Sequence, residues 1–185
     1  MANITAEEKS SQKNITDMFL KHVKDRTNTK VLDLGGGTGS VSQLLRNQLQ
    51  FKGEIDILDA NMDMLYKASK KEVGFSNILC HWIGDSGDLP LRDATYDVIV
   101  CAAAFLPNHI PAPAIKGILK VIKPEGLLLL TMRLETTGSY EKVLQDNIKQ
   151  LCSEKKLELL DDVKYTHFSN SPNKFNSGCF VYRRN

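Results

Sequence analysis

Long apolar runs and a secretory leader are both missing from this 185-residue sequence. No stretch approaches the roughly 18 apolar residues that a membrane-spanning helix needs, and no basic start followed by an apolar segment marks a signal peptide. The four cysteines contain no C-x-x-C pair, which favours reduced thiols over disulfides or a metal site. We therefore expect a cytoplasmic protein, with nuclear access also open to it, that does not associate with membranes.

An excess of charge of either sign is missing as well. The formal net charge is +2 and no basic stripe stands out, so DNA is not an expected partner. The four histidines show no metal-ligand spacing with cysteines or carboxylates, and we expect no metal site. The length and the hydrophobic fraction of 42% are typical of one globular domain, residues 1–185.

The most informative stretch is Val31-Leu32-Asp33-Leu34-Gly35-Gly36-Gly37-Thr38-Gly39. An apolar run enters four glycines and a threonine, and an amphipathic segment with apolar residues at helical spacing follows. The stretch therefore predicts a buried strand, a tight turn and a helix N-terminus. Glycines let the backbone turn sharply and let a ligand come close, so the turn is a candidate site for a nucleotide-like ligand.

Two features of this turn argue against a dinucleotide. The glycines at 35, 37 and 39 follow a G-x-G-x-G spacing, whereas dinucleotide enzymes carry G-x-G-x-x-G, and position 40 here is Ser40. The carboxylate of Asp33 would repel a pyrophosphate and would favour a cation, such as the ammonium of an amino acid. A nicotinamide dehydrogenase is therefore disfavoured.

The rest of the chain predicts an α/β fold of three layers. Five strands alternate with helices, and a helix and two consecutive strands follow, which indicates a seven-stranded, mostly parallel sheet with one antiparallel strand near the C-terminus. The expected strands are about 30–34, 54–59, 77–83, 97–103, 127–132, 157–165 and 178–183. In such sheets ligands bind beyond the carboxyl ends of the strands, so candidate residues are sought there.

Carboxylates follow the second and third strands. Asp59 ends the second strand and can accept both hydroxyls of a ribose, or it can simply cap the next helix. Asp85, with Ser86, follows the third strand and can accept the amine of an adenine ring, or it can bond its own turn. Met62 and Ile83 are apolar candidates for the faces of that ring, with core packing as the alternative.

One histidine lies where an acceptor would meet such a ligand. His109 follows the fourth strand and can act as a general base near neutral pH. The alternative is a histidine that packs or caps. No nucleophile, base and orienting residue form a recognisable set elsewhere in the sequence.

Taken together, these segments resemble the class I S-adenosylmethionine-dependent methyltransferases, whose fold is Rossmann-like. Residues 31–39 resemble the first motif of that family, and the run from Asp59 to Leu65 is similar to its second-strand segment. Further resemblances lie at residues 84–91, 96–99 and 123–127, so the likeness spans about residues 30–133. A narrower likeness, at residues 131–133 and 180–183, is to the methyltransferase-like proteins named after the Williams–Beuren syndrome region.

The resemblance implies a role for each candidate residue. S-Adenosylmethionine is the implied cofactor and S-adenosylhomocysteine its product. The methionine part would bind at Asp33 and the glycine turn, the ribose at Asp59 beside Ala60, and the adenine at Asp85 and Ser86. With the candidates drawn from position alone included, the expected cofactor-binding residues are Asp33, Gly35, Gly36, Gly37, Gly39, Asp59, Ala60, Met62, Asp85 and Ser86. His109, from its place after the fourth strand, is the candidate catalytic residue.

Two functions remain open on the sequence. The first is methyl transfer to a small molecule, with a protein side chain as the second choice of acceptor. The second is a methyltransferase-like protein that binds S-adenosylmethionine or a protein partner without catalysis. The latter is motivated by the scarcity of material for a substrate lid: a helix within residues 1–28, preceding a core of residues 30–185, and the polar loop 168–177 are the candidates.

Overall fold

Seven β-strands form the centre of the protein, seen in a computed structural model that describes residues 6–135, 138–167 and 175–185. The strands are β1 (Lys30–Leu34), β2 (Glu54–Asp59), β3 (Asn77–Cys80), β4 (Tyr96–Cys101), β5 (Ile122–Arg133), β6 (Leu157–His167) and β7 (Phe175–Arg184). The α-helices of the described residues are α1 (Ala6–His22), α2 (Ser40–Asn47), α3 (Met62–Ser69), α4 (Ile115–Ile118) and α5 (Ser139–Ser153). Two 3-10 turns, Ala112–Ala114 and Leu119–Val121, flank α4.

The strand order across the sheet is β3-β2-β1-β4-β5-β7-β6. Strands β1 to β5 are parallel, and β7 runs antiparallel to both of its neighbours, β5 and β6. This confirms the predicted Rossmann-like α/β sandwich with one antiparallel strand. Because the chain order reverses between β1 and β4, a crevice is expected at the carboxyl ends of these two strands.

Each face of the sheet carries its own apolar core. Successive side chains of a strand point to opposite faces, so Val31 and Leu32 of β1 belong to different cores. On one face Val31 packs with Phe19 of α1 and Leu45 of α2. On the other face Leu32 belongs with the buried side chains of α4 and α5. The layers hold the strand ends in fixed positions, which is what a site at those ends requires.

The connection between β3 and β4 interrupts the alternation of strands and helices, in agreement with the loop that the composition of residues 84–90 predicts. No helix lies between these strands: β3 ends at Cys80, three residues earlier than expected, and residues 81–95 form turns and extended backbone. The segment packs closely on the 3-10 turn before α4, since a Cβ added at Gly87 would lie 2.0 Å from the carbonyl oxygen of Ala114. Glycines and prolines disfavour a helix here.

The segment before β5 also differs from its prediction. The alternation of strands and helices predicts one helix between β4 and β5, but the chain forms a 3-10 turn, the four-residue α4 and a second 3-10 turn. Ile122 then adopts an extended conformation and opens β5, pairing with Tyr96. The proline at 124 explains this early change, because it disfavours helical backbone in the residue before it.

Two further predictions concern the possible lids. A helix within residues 1–28 is present as α1, while residues 1–5 lie outside the described residues. Of the expected loop 168–177, residues 168–174 lie outside the described residues, and 175–177 belong to β7 instead. None of the helices in the described ranges is long and apolar enough to cross a membrane.

Candidate functional site

A cavity of about 560 Å³ lies at the carboxyl ends of β1, β2 and β4. Its walls come from the glycine turn after β1, the end of β2, the segments that follow β3 and β4, and the second turn of α1. The volume is within the usual range of small-ligand sites. Of the predicted cofactor residues, those that line it are Asp33, Gly35, Gly36, Gly37, Asp59 and Ala60.

The glycine turn is fixed from two sides. The amides of Gly35 and Gly36 both donate to the carbonyl oxygen of Leu58 in β2, at 2.8 and 3.2 Å. A Cβ added at Gly35 would lie 2.4 Å from the Cβ of Ala104, so the segment after β4 can approach only a glycine. Gly37 has a left-handed φ of 54° and open space where its Cβ would be, which leaves room for a ligand.

Asp33 is a buried carboxylate beneath this turn. Its side chain is 1% exposed, and its Oδ2 accepts hydrogen bonds from the hydroxyl and amide of Ser42, at 2.5 and 3.3 Å. Burial raises the pKa of Asp33 to about 6, against the bonds from Ser42, which lower it. Asp59 raises this pKa further and Lys71 lowers it. A cationic ligand would offset the cost of keeping this charge buried.

Asp59 connects the turn to the start of α3. Its Oδ2 accepts from the amide of Gly37 and its Oδ1 from the amide of Asn61, both at 2.8 Å. The N-cap of α3 is Asn61, whose side chain accepts from the amides of Asp63 and Met64. Asn61, and not Asp59, therefore caps α3, and the carboxylate of Asp59 lies in the cavity wall.

Not all of the predicted residues gather at this cavity. Gly39 precedes α2 and lies outside the lining, and Met62 is 62% exposed on α3. Asp85 lines a second cavity of about 540 Å³, while Ser86 lines neither and accepts from the amide of Asp88 at 3.3 Å. The apolar wall near α3 comes from Met64, two residues after the predicted Met62.

Several lining residues have no counterpart among the predicted ones. Trp82, 66% exposed, and Asn108 line both cavities, and His81 lines the first. Ser11 and Gln12 of α1 also line the first cavity. For Trp82, its large aromatic side chain at a predicted strand end could have indicated a place in a ligand site. For Ser11 and Gln12 no local pattern could have done so, because their place at the cavity depends on how α1 packs.

The segment after β4 holds a strained residue at the cavity. Ala103 has φ 54°, a conformation rare for residues other than glycine, and its amide donates to Oγ1 of Thr131 at 2.8 Å. Strain of this kind persists where surrounding structure enforces it, often at ligand sites. It directs the chain from β4 toward His109 at the cavity.

His109 lines both cavities and so stands at their junction. Its Nδ1 lies 3.3 Å from the carbonyl oxygen of Pro107. If Nδ1 carries the proton and donates it to that carbonyl, Nε2 keeps a lone pair and can accept a proton. Among the described residues no cluster of three or more histidines, cysteines or carboxylates could hold a metal ion.

Comparison with known sequences gives the same family for most of the chain. The profile of a family described as "Methyltransferase domain" matches residues 25–174. Ubiquinone/menaquinone biosynthesis C-methyltransferase UbiE of Idiomarina loihiensis is 31% identical over 107 residues, which are 57% of this chain and 43% of that protein. The protein of the same name from Laribacter hongkongensis is 30% identical over 105 residues, with the same coverage. The chain thus spans less than half the length of these curated relatives.

Solved structures share the fold. A SAM-dependent methyltransferase from Aquifex aeolicus superposes with a TM-score of 0.60 and 18% identity, covering 95% of this chain and 97% of that one. The cyclase SpnF superposes with a TM-score of 0.70 and 19% identity, covering 92% and 80%. At these identities the likeness shows the fold alone.

Proposed function

The chain belongs to the class I S-adenosylmethionine-dependent methyltransferases, and from this premise we propose that it transfers a methyl group from S-adenosylmethionine to a small molecule. One observation carries the proposal. The glycine turn, the carboxylates Asp33 and Asp59, and the strained end of β4 surround a single cavity at the point where strand order reverses.

The residues present suit this cofactor. Gly37 leaves open space at the turn, and Asp33 offers a buried negative charge to the ammonium of the methionine part. Asp59, beside Ala60, would accept the ribose hydroxyls. When bound, S-adenosylmethionine supplies a methyl group on an electrophilic sulfonium, so the protein needs mainly to hold an acceptor in line with it.

We assign the adenine end to the segment after β3. Ile83 and Met64 line the cavity there, and Asp85 lies beyond Trp82 in the adjoining second cavity. Asp85 and Ser86 keep their predicted role as acceptors for the adenine amine, and Met62 its role beside the ring. For Asp85 this role requires the adenine ring to extend past Trp82 into the second cavity.

The acceptor would approach through the second cavity. This cavity shares Trp82, Asn108 and His109 with the first, and its size suits a small molecule better than a protein segment. Nε2 of His109 would take a proton from the acceptor where the nucleophile carries one it does not lose readily. We infer also that residues 1–185 form one domain and that the protein acts in the cytoplasm. DNA is not among the partners we propose.

The central experiment is a screen of a metabolite extract with methyl-labelled S-adenosylmethionine. The native protein is compared with Asp59→Ala and with Asp63→Ala, which removes an exposed carboxylate four residues further on. We expect label in a small molecule with the native protein and with D63A, and at least a tenfold loss with D59A. Thermal unfolding of each variant checks that the loss of the bonds to Gly37 and Asn61 has not unfolded D59A.

Other outcomes would each remove one part of the proposal. Label found only in proteins would contradict the small-molecule acceptor. Binding of S-adenosylhomocysteine without transfer to any acceptor would favour a non-catalytic binding protein. Binding of NAD without S-adenosylhomocysteine would contradict both.

A further inference from the structure

Lys71 places a half-buried ammonium group near the cavity without an ion-pair partner. The residue follows α3 in a turn held by a hydrogen bond from its amide to the carbonyl oxygen of Ala68, at 3.0 Å. Within the described ranges of the chain, Lys71 forms no salt bridge. Burial lowers the pKa of its amine, while the charge of Asp33 raises it. A partly desolvated cation without a carboxylate contact is costly unless an anion joins it.

The ammonium of Lys71 reaches the wall of the cavity at the start of α2. Its Nζ donates to Oγ of Ser40 at 3.2 Å, and the same Oγ lies 3.2 Å from Oγ1 of Thr38. Ser40 and Thr38 both line the cavity directly after the glycine turn. One cation and two hydroxyls are therefore gathered at the start of α2, near the Ser42 that bonds the buried Asp33.

We propose that Lys71, through the hydroxyls of Ser40 and Thr38, recognises the carboxylate of the amino-acid part of the cofactor. This inference rests on the proposed function. An amino acid carries an ammonium and a carboxylate on one carbon, and a site selective for it needs an anion and a cation a few ångströms apart. Asp33 supplies the anion, and its hydrogen-bond partner Ser42 lies two residues after Ser40, the contact of Lys71, so the two charges lie beside the same turn of α2.

Neither neighbouring lysine, Lys67 or Lys70, combines partial burial with a contact to the hydroxyls at the start of α2. Lys70 is exposed, and its Nζ lies 4.7 Å from the ring centroid of Tyr66, on the outside of α3. Lys67 lines the cavity but is exposed, so its ammonium is already well solvated. Lys70→Met is consequently a matched control for Lys71→Met: the adjacent residue loses the same charge.

The test measures binding by calorimetry with two ligands. S-Adenosylhomocysteine contains the amino-acid part, and methylthioadenosine lacks it. We expect Lys71→Met to weaken binding of S-adenosylhomocysteine about ten- to thirtyfold, because the ligand carboxylate loses the partly buried positive charge behind the two hydroxyls. Affinity for methylthioadenosine should stay within about twofold, Lys70→Met should change neither affinity, and Lys71→Arg should retain most of the native affinity.

The outcomes separate this inference from its premise. If the native protein binds neither ligand, the proposed function fails and the inference falls with it. If the native protein binds S-adenosylhomocysteine and K71M binds it equally well, the inference alone is overturned. Equal weakening of both ligands by K71M would also overturn it, because the residue would then act on the shape of the site. Should K71M fail to fold, Lys71→Gln provides the same comparison with a polar side chain.

Discussion

Asp33 is the residue whose protonation decides what the cavity can bind. Its carboxyl is buried, and its surroundings contain one further carboxylate, Asp59, one ammonium, Lys71, and the hydroxyl of Ser42. Burial outweighs the bonds from Ser42, so the pKa is raised to about 6 rather than lowered. The charged form that an ammonium ligand requires is therefore lost in weakly acidic solution.

Affinity for S-adenosylhomocysteine should consequently decrease as the pH falls below 6. A ligand ammonium binds ionised Asp33, and each pH unit below its pKa of about 6 leaves roughly a tenth as much of that form. Calorimetric titrations from pH 7.5 to about 5 would measure the change. Asp33→Asn should bind weakly at every pH, and equal affinity of the native protein at both ends of the range would contradict the role given to Asp33.

The stability of the ligand-free protein should show the opposite dependence. The unfolded chain has a carboxyl pKa near 3.8, and the folded chain one of about 6, so the folded state binds the proton more readily between these values. The contribution of Asp33 to the free energy of unfolding is therefore largest below pH 4 and is lost as the pH rises through 6. Urea unfolding of the native protein and of D33N measures it, and D33N should gain stability relative to native at pH 7 but not at pH 4.

The glycine turn permits a second test at the scale of single residues. Gly37 and Gly74 both have left-handed φ, 54° and 67°, and open space where a Cβ would be, but only Gly37 lines the cavity. Alanine at either position should cost about 1–2 kcal/mol of stability for the backbone conformation alone. Only Gly37→Ala should also lose binding of S-adenosylhomocysteine, by about tenfold or more, measured beside urea unfolding. Equal binding by the two variants would mean that no ligand approaches the turn.

The residues that could be predicted from the sequence are those set by local pattern. Asp33, Asp59 and the first three glycines adjoin strand ends that apolar runs made visible, and all of them line the cavity. Ser11 could not be predicted, because its place there depends on how α1 packs across the sheet. Asp85 was assigned from its position after the third strand and from the family resemblance, and the loop after β3 places it in the second cavity.

At the scale of elements, α1 forms one wall of the site through contacts with the far edge of the sheet. Near its middle, Oγ of Ser11 lies 3.2 Å from the hydroxyl of Tyr165 in β6. At its end, Lys21 and His22 contact Oδ2 of Asp161, also in β6, at 2.5 and 2.7 Å. The position of α1 over the cavity therefore depends on an edge strand that does not itself line the cavity.

Asp161→Asn should loosen this helix without disturbing the sheet core. Lys21 and His22 lower the pKa of Asp161, so its charged form holds the end of α1. We expect faster hydrogen exchange of amides 11–22 and affinity for S-adenosylhomocysteine a few times weaker. Asp17→Asn is the matched control, since Asp17 pairs with Lys13 inside the helix itself. Equal exchange in D161N and D17N would show that the contacts with β6 do not position α1.

Sequence patterns predict some helices and strands of this fold correctly and others incorrectly. Helix α5, Ser139–Ser153, lies where the sequence predicts a helix between the fifth and sixth strands. The segment before β5 differs from its predicted helix, because isoleucines at helical spacing also suit a strand. The proline at 124 favours the strand over the helix. For the connection between β3 and β4, the content of glycine and proline was the sequence feature that indicated a loop instead of a helix.

For the whole molecule, ligand binding should appear as a gain in stability. A ligand that binds only the folded state at a hundred times its Kd adds about 2.7 kcal/mol. For a chain of this size that corresponds to an increase in Tm of roughly 5–10 °C. Thermal scans with S-adenosylhomocysteine should show this shift and scans with NAD should not. A shift with NAD alone would contradict the assignment of the cavity.

Trp82 is an intrinsic fluorescence reporter of ligand binding. It is the single tryptophan of the chain, it is 66% exposed, and it lines both cavities. The intrinsic tryptophan fluorescence of the unlabelled protein therefore comes from one known point, in the wall that the two cavities share. Stopped-flow recordings of its emission can time the arrival of each ligand separately and so give the order in which they bind.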